Sequence, residues 1–384
     1  MNDRIRIVAD ANIPFLRGVL EPYADVRYLP AAEIRPESIR GTDALLIRTR
    51  TKCDARLLVG SRIVFIGTAT IGYDHIDTAY CEAHGIRWVH APGCNSSSVA
   101  QYVASALLTM ARTKSFDLGR MMIGIVGVGH VGGKVSRFAR SLGMRVLLND
   151  PPRMRAEGRS GFVDLDALLD ESDIITFHVP LTREGLDATH HMADERLFAK
   201  LRPGTFLLNT SRGPVHETRA LKAAIKAGTI GTCVLDVWEN EPEADRELVG
   251  MVDLTTPHIA GYSADGKANG TAACIRAIAS FFRWGVDRNW YPPEIPSPDR
   301  PRDLVLDGRG RTRQEVVSEA VLAAYAVAED DERFRRSVGL FEKLRNEYPV
   351  RREFPFFGIT LLHGTEEMGR TLRDLGFRVL PGPS

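Results

Sequence analysis

Short runs of Val, Ile and Leu recur along the chain at Ile5–Ala9, Ala44–Arg48, Ile63–Ile66, Ile86–His90, Met122–Val126, Arg145–Leu148, Asp173–His178, Thr205–Asn209 and Gly231–Val237. Amphipathic stretches separate them. Near-continuous apolar strands alternating with helical patterns predict βα units, whose parallel sheets are covered by helices on both faces. The expected fold class is α/β, with two doubly wound parallel-sheet lobes. One series ends before residue 95 and the other runs from 120 to 257. The joining segment SSSVAQYVASALLTMAR offers a serine cap followed by Val99, Val103, Ala106, Leu107 and Met110 at helical spacing. It predicts a long helix bridging the lobes, and two lobes imply a cleft.

After residue 286 the texture changes. YPPEIPSPDRPRD reads as a proline-rich linker, and the stretch to Ser384 mixes charged helical segments with short strands such as Phe357–Leu362. The expected domains are therefore 1–95 with 258–285, 96–257, and a small α+β C-terminal domain at 286–384.

Composition narrows the function. With 44% hydrophobic and 26% charged residues in 384, the chain is an ordinary globular protein. Fifty Lys and Arg against forty-nine Asp and Glu leave a charge of +1, so no basic field attracts nucleic acid or an anionic membrane. No apolar run reaches the roughly 20 residues of a membrane helix. The opening MNDRIRIVAD alternates charges with Ile and Val rather than forming a signal-peptide core, so a cytoplasmic protein is expected. Five widely spaced cysteines without a CxxC argue against a disulfide framework or a zinc ribbon.

Gly127, Gly129 and Gly132 stand in G-x-G-x-x-G spacing, after an apolar strand and before a helix. Such a loop brings backbone N–H groups up to a pyrophosphate at the positive end of the helix. The next strand ends at Asp150, 18 residues beyond Gly132, where a carboxylate would accept the ribose hydroxyls and repel a 2′-phosphate. NAD is expected over NADP. Arg153 and Arg155 follow closely, either as partners for a 2′-phosphate or as solvated surface charges.

Oxidising an alcohol next to a carboxylate needs a base and a cation, at strand ends. Arg212 follows TFLLNTS, Glu241 sits in DVWENEP, and His258 sits in TTPHIAGY. His178, His190 and His191 lack a metal-binding spacing, so no metal is expected. Cys94 reads as a packed loop thiol, and the DHID segment (Asp74, His75, Asp77) as a helix cap.

GIVGVGHVG, LLNTSRGPVHE, LDVWENEP and PHIAGY resemble the signatures of the D-isomer-specific 2-hydroxyacid dehydrogenases, across Ile5 to about Arg283. The resemblance implies a Rossmann NAD domain, a flavodoxin-like substrate domain, and Arg212, Glu241 and His258 as catalytic residues. It implies cofactor contacts at Gly127, Gly129, His130, Val131, Gly132, Asp150, Val179, Thr210, Ser211, Arg212, Asp236 and Gly261. Thr49, Thr70 and Tyr262 match substrate-contacting positions. Thr49 stands where better-known members have serine, which keeps the hydroxyl in a tighter pocket. Arg48 and Arg50 are candidates for a substrate phosphate, or solvated loop arginines. VADANIPF, APGCNSSSVAQYV and the tail FEKLRNEYPVRREF resemble a branch of the family acting on a small phosphorylated 2-hydroxy acid, in which the tail makes a homodimer. YPVRREF sets Arg351 and Arg352 beside aromatic residues, an arrangement suited to a phosphate or to plain solvation. Two other readings remain at this point, a phosphoglycerate-type dehydrogenase and a non-catalytic NAD-sensing scaffold.

Overall fold

The computed structural model describes residues 4–381. The outermost positions of the first and last expected domains, 1–3 and 382–384, lie outside the described residues. By internal contacts the chain divides into two units. The first joins the segment ending at Asn95 to Ser263–Pro296, and the second joins Ser96–Tyr262 to the segment beginning at Ser297.

The first unit is built on β1 (Arg6–Asp10), β2 (Asp25–Leu29), β3 (Ala44–Ile47), β4 (Phe65–Thr68) and β5 (Arg87–Val89). They pair in parallel in the order β2-β1-β3-β4-β5. Strands β3 and β4 are buried at every position because helices cover both faces, which is why ALLI and FIGT read as unbroken apolar runs. The helix Ala264–Phe282 sends Cys274, Ile275 and Ile278 into the core against Ile7, Leu46 and Phe65. The DHID segment caps as expected, with Asp77 accepting from the Tyr80 N–H at the start of helix Thr78–Ala83.

The second unit carries β6 (Met122–Val126), β7 (Arg145–Asn149), β8 (Ile174–Phe177), β9 (Thr205–Asn209), β10 (Ile230–Leu235) and β11 (Leu254–Thr255). All pairs are parallel, in the order β11-β10-β9-β8-β6-β7. The strand order reverses between β6 and β8, and ligands of open α/β sheets bind outside the carboxyl ends of the strands at such a point.

The C-terminal stretch adds a small parallel sheet, β12 (Asp303–Asp307), β13 (Gly358–Leu362) and β14 (Arg378–Leu380), in the order β12-β13-β14. It shares one core with the second unit. Val316, Val317, Ala320 and Val321 of helix Arg313–Ala324 cluster with Tyr102, Val103 and Leu107 of the long helix Ser96–Lys114. That helix is buried through most of its length because it is packed on several sides, not along one stripe. The stretch beginning at Ser297 therefore belongs with Ser96–Tyr262, and the division falls at Tyr262/Ser263, whereas the sequence reading set it at 257/258.

Candidate active site

The site of the second unit grows from the carboxyl ends of its strands. Gly127 leaves β6 with φ +87°, a conformation glycine adopts without strain, and a Cβ there would stand 2.7 Å from the His178 carbonyl oxygen. A Cβ on Gly132 would collide with the Gly127 carbonyl oxygen at 2.1 Å, whereas one on Gly129 would meet nothing within 4 Å. Two glycines are thus required by the protein itself. The middle one leaves open space at the N-terminus of helix His130–Ser141, the end of a helix that favours an anion. His130 is exposed in the first turn, Val131 is half-buried, and Val179 closes the loop from the end of β8.

Asp150 follows β7 and caps helix Pro151–Glu157. Its Oδ1 accepts from Arg153 N (3.1 Å) and its Oδ2 from Val128 N (2.8 Å), which ties the carboxylate to the glycine loop. Arg153 is held by both oxygens of Glu157 at 2.8 Å and by the Val128 carbonyl, and Arg155 by Asp187. Both arginines therefore already have anionic partners. Asp150→Ala is expected to lower the NAD-to-NADP ratio of kcat/KM roughly tenfold, the worth of one hydrogen bond to a charged group. An unchanged ratio would remove Asp150 from this role.

At the end of β9, the buried amide of Asn209 organises the loop carrying Arg212. Asn209 Oδ1 accepts from Ser211 N (3.0 Å) and Ser211 Oγ (2.8 Å), and Nδ2 donates to the Arg212 carbonyl (3.0 Å) and to His216 Nδ1 (3.0 Å). Thr210 and Ser211 are buried, while Arg212 is half-buried with Nη1 donating to the Ser211 carbonyl (2.9 Å). Gly213 lets this loop lie against the next, since a Cβ would stand 1.8 Å from the Trp238 carbonyl oxygen.

Accepting at Nδ1 keeps His216 neutral, and burial pushes its pKa down to about 4 from the usual 6.5. Between those values the unfolded chain binds the extra proton. His216 therefore contributes stability fully above pH 6.5 that is lost as pH falls toward 4, roughly 3 kcal/mol in all. Comparing the unfolding free energy of wild type and His216→Gln from pH 7 to pH 4 should show a shallower acid loss in the variant. Parallel curves would contradict this assignment.

The ends of β10 and β11 bring Glu241 and His258 together. Glu241 Oε2 lies 2.7 Å from His258 Nδ1, and Oε1 accepts from Trp238 N (2.9 Å). Burial by itself would raise the Glu241 pKa, but the His258 ring, the Trp238 N–H and the Arg345 charge hold the carboxyl below its usual range. An ionised Glu241 keeps the proton on Nδ1, so Nε2 is the nitrogen able to take a proton from a substrate. His258 has φ +56°, unusual for a residue with a Cβ, and its N–H donates to the Asp236 carbonyl (2.6 Å).

Asp236 is fully buried, and its carboxylate holds the His258 loop. Oδ1 accepts from Thr256 Oγ1 (2.6 Å) and Ile259 N (2.7 Å), and Oδ2 from Ala260 N (2.8 Å). Burial raises its pKa to about 6, with His258 and these donors opposing the rise. Because Thr256 gives its proton to Asp236, the buried Tyr102 hydroxyl donates to Thr256 Oγ1 (2.7 Å). Trp238 Nε1 donates to the Thr256 carbonyl (3.0 Å), tying the Glu241 loop to the His258 loop. Gly261 and Tyr262, both half-buried, complete the turn.

Sequence reasoning missed Asn209, Tyr102, Thr256 and Trp238. All four lie inside the quoted segments but carry no charge. Thr256 and Tyr102 show no local signal, because their partners are remote in sequence.

In the first unit, Thr49 is exposed in the loop after β3. Thr70 follows β4, donating from its hydroxyl to the Gly72 carbonyl (2.9 Å), 2.7 Å from Thr68 Oγ1. Arg48 Nε donates to the fully buried carboxylate of Asp10 (3.0 Å), so it is no freely solvated loop arginine, whereas Arg50 is exposed.

Residues 95–260 match the family described as D-isomer specific 2-hydroxyacid dehydrogenase, NAD binding domain. Residues 302–376 match a Domain of unknown function (DUF3410). The chain is 47% identical over 350 residues to an erythronate-4-phosphate dehydrogenase of Bacteroides fragilis, covering 91% of this chain and 97% of the relative. It is 42% identical to that of Porphyromonas gingivalis, covering 97% and 100%. Among solved structures it is similar to D-lactate dehydrogenase from Aquifex aeolicus complexed with NAD and lactic acid. That match has 25% identity and a TM-score of 0.60, and covers 72% of this chain and 95% of the other.

Proposed function

The chain belongs to the D-isomer-specific 2-hydroxyacid dehydrogenases, among the erythronate-4-phosphate dehydrogenases. From this we propose that it oxidises 4-phospho-D-erythronate to (R)-3-hydroxy-2-oxo-4-phosphobutanoate with NAD, a step of pyridoxal 5′-phosphate biosynthesis. The observation that carries the chemistry is the Glu241–His258 pair at 2.7 Å, on the same strand-end edge that presents the open Gly129 turn.

NAD, when bound, accepts the hydride leaving C2. His258 Nε2 takes the C2 hydroxyl proton while Glu241 holds Nδ1–H and stabilises the resulting imidazolium. The guanidinium of Arg212 receives the substrate carboxylate and the developing carbonyl oxygen in a fork that lysine does not reproduce. Asp150 would hold the adenosine ribose, and the 127–132 loop the pyrophosphate. Val179, Thr210, Ser211, Asp236 and Gly261 would line the rest of the cofactor site. From β7 to β10 is four strand steps, roughly 19 Å, a row of strand ends that would hold the cofactor between Asp150 and His258. Thr49, Thr70 and Tyr262 match substrate-contacting positions of the family, and Arg48 and Arg50 are the candidates for the phosphate.

The protein acts in the cytoplasm as a homodimer in this reading. Val305 supports a contact through the C-terminal sheet, being 67% exposed on the edge strand β12. Light scattering on the full chain tests it, and a monomeric mass would exclude it. No helix among the described residues is long and apolar enough to cross a membrane. The phosphoglycerate and scaffold readings are not favoured, because the erythronate-4-phosphate relatives match through the C-terminal stretch as well. NADH formation with 4-phospho-D-erythronate, 3-phosphoglycerate and unphosphorylated D-erythronate decides among them. The reading requires 4-phospho-D-erythronate to have the highest kcat/KM of the three.

A further inference from the structure

Arg351 is buried to 4% exposure, yet no carboxylate hydrogen-bonds it. Its Nη2 donates to the carbonyl of Ala260, its guanidinium lies 4.4 Å from the centre of the Tyr325 ring, and Nε and Nη1 have no hydrogen-bond partner. A buried cation with unpaired donors is destabilising by itself, and an apolar side chain would fill the same space at less cost. Besides resting over the Tyr325 ring, the guanidinium bonds the Ala260 carbonyl, two residues after His258.

The surrounding segment is built to deliver it. Val350 is exposed whereas Arg351 and Glu353 are buried, as an extended segment requires. Glu353 Oε1 accepts from Ser98 Oγ (2.7 Å), and the Arg352 carbonyl accepts from Gln101 Nε2 (3.0 Å). The helix Ser96–Lys114 thereby anchors the residues after Arg351. At the other end Ala260 is held twice, its N–H by Asp236 and its carbonyl by Arg351.

We infer that Arg351 is a positioning residue for the reaction, bracing the His258 loop from the carbonyl side of Ala260 as Asp236 does from the amide side. The C-terminal stretch then has a part in catalysis besides association. Without the brace, the peptide at Ala260 turns about its remaining bond, and the left-handed His258 loses the setting that aims Nε2 at the substrate.

The inference rests on His258 being the base, and the test separates the two ideas. In the full-length protein, Arg351→Gln and Arg351→Lys are assayed for kcat, KM, NAD affinity and hydrogen exchange of the 256–262 backbone. The glutamine variant is expected to lose roughly 10- to 100-fold in kcat, the cost of a misaimed catalytic group, with NAD affinity unchanged and faster exchange in 256–262. Lysine, which still offers a charged donor to the Ala260 carbonyl, is expected to recover most of the rate. Unchanged kcat and exchange in a glutamine variant that binds NAD would overturn the inference, as would a lysine variant no better than glutamine. Should Arg351→Gln not fold, Gln101→Leu releases the Arg352 anchor. Lower kcat at unchanged NAD affinity there supports the inference, and full kcat overturns it. If wild type turns over no 2-hydroxy acid, the functional reading fails, and the exchange data alone still decide whether Arg351 holds the loop.

Discussion

His258→Ala should lower kcat by about 10²- to 10⁴-fold while NAD still binds, because it removes positioned acid–base catalysis and nothing that faces the adenosine end. The geometry separates the two functions. Asp150 and the glycine loop follow β7 and β6, whereas His258 follows β11 at the opposite edge of the same sheet. The variant also leaves the half-buried Glu241 without its imidazole partner, so thermal stability should fall together with kcat. Steady-state NADH formation and calorimetric NAD binding check both halves. Turnover near wild type in His258→Ala would remove the base assignment, and loss of NAD binding would show that the β11 loop also supports the cofactor.

The second large effect is expected from Arg212→Lys. A lysine retains the charge but loses the planar fork, keeping at most one of two charge-assisted hydrogen bonds to the substrate carboxylate. The lost bond is worth about 2–3 kcal/mol, which corresponds to roughly 100-fold in kcat/KM. The supporting loop should survive, since Asn209 holds it through the Ser211 and Arg212 backbone and not through the guanidinium. NAD affinity is accordingly expected to stay constant. A lysine variant with full kcat/KM would show that charge alone suffices at this position.

The parts legible in the sequence are those set by local composition. Strands such as β3, β6 and β8 are covered on both faces, so each of their residues is apolar enough to announce the strand. The short edge strands β2, β12 and β14 have a single neighbour and mixed polarity, as in DVRYL and DLVLD, and they escape such a reading. The domain limits escaped too, because the helices after residue 312 bury their apolar faces in the core around the helix Ser96–Lys114, a choice of partner that no linker composition reveals.

By itself the sequence determined the order of the α/β units, the spacing of Gly127, Gly129 and Gly132, and the identities of Arg212, Glu241 and His258. These depend on residue type and on short separations along the chain. Only the tertiary structure decided that Arg155 pairs with Asp187, that Asp10 engages Arg48, and that Asp236 and Arg351 grip the two sides of Ala260. Each of these is a hydrogen bond or ion pair between side chains and backbone brought together by packing. Such a bond is set to within tenths of an ångström by the folded core, and residue spacing does not record it.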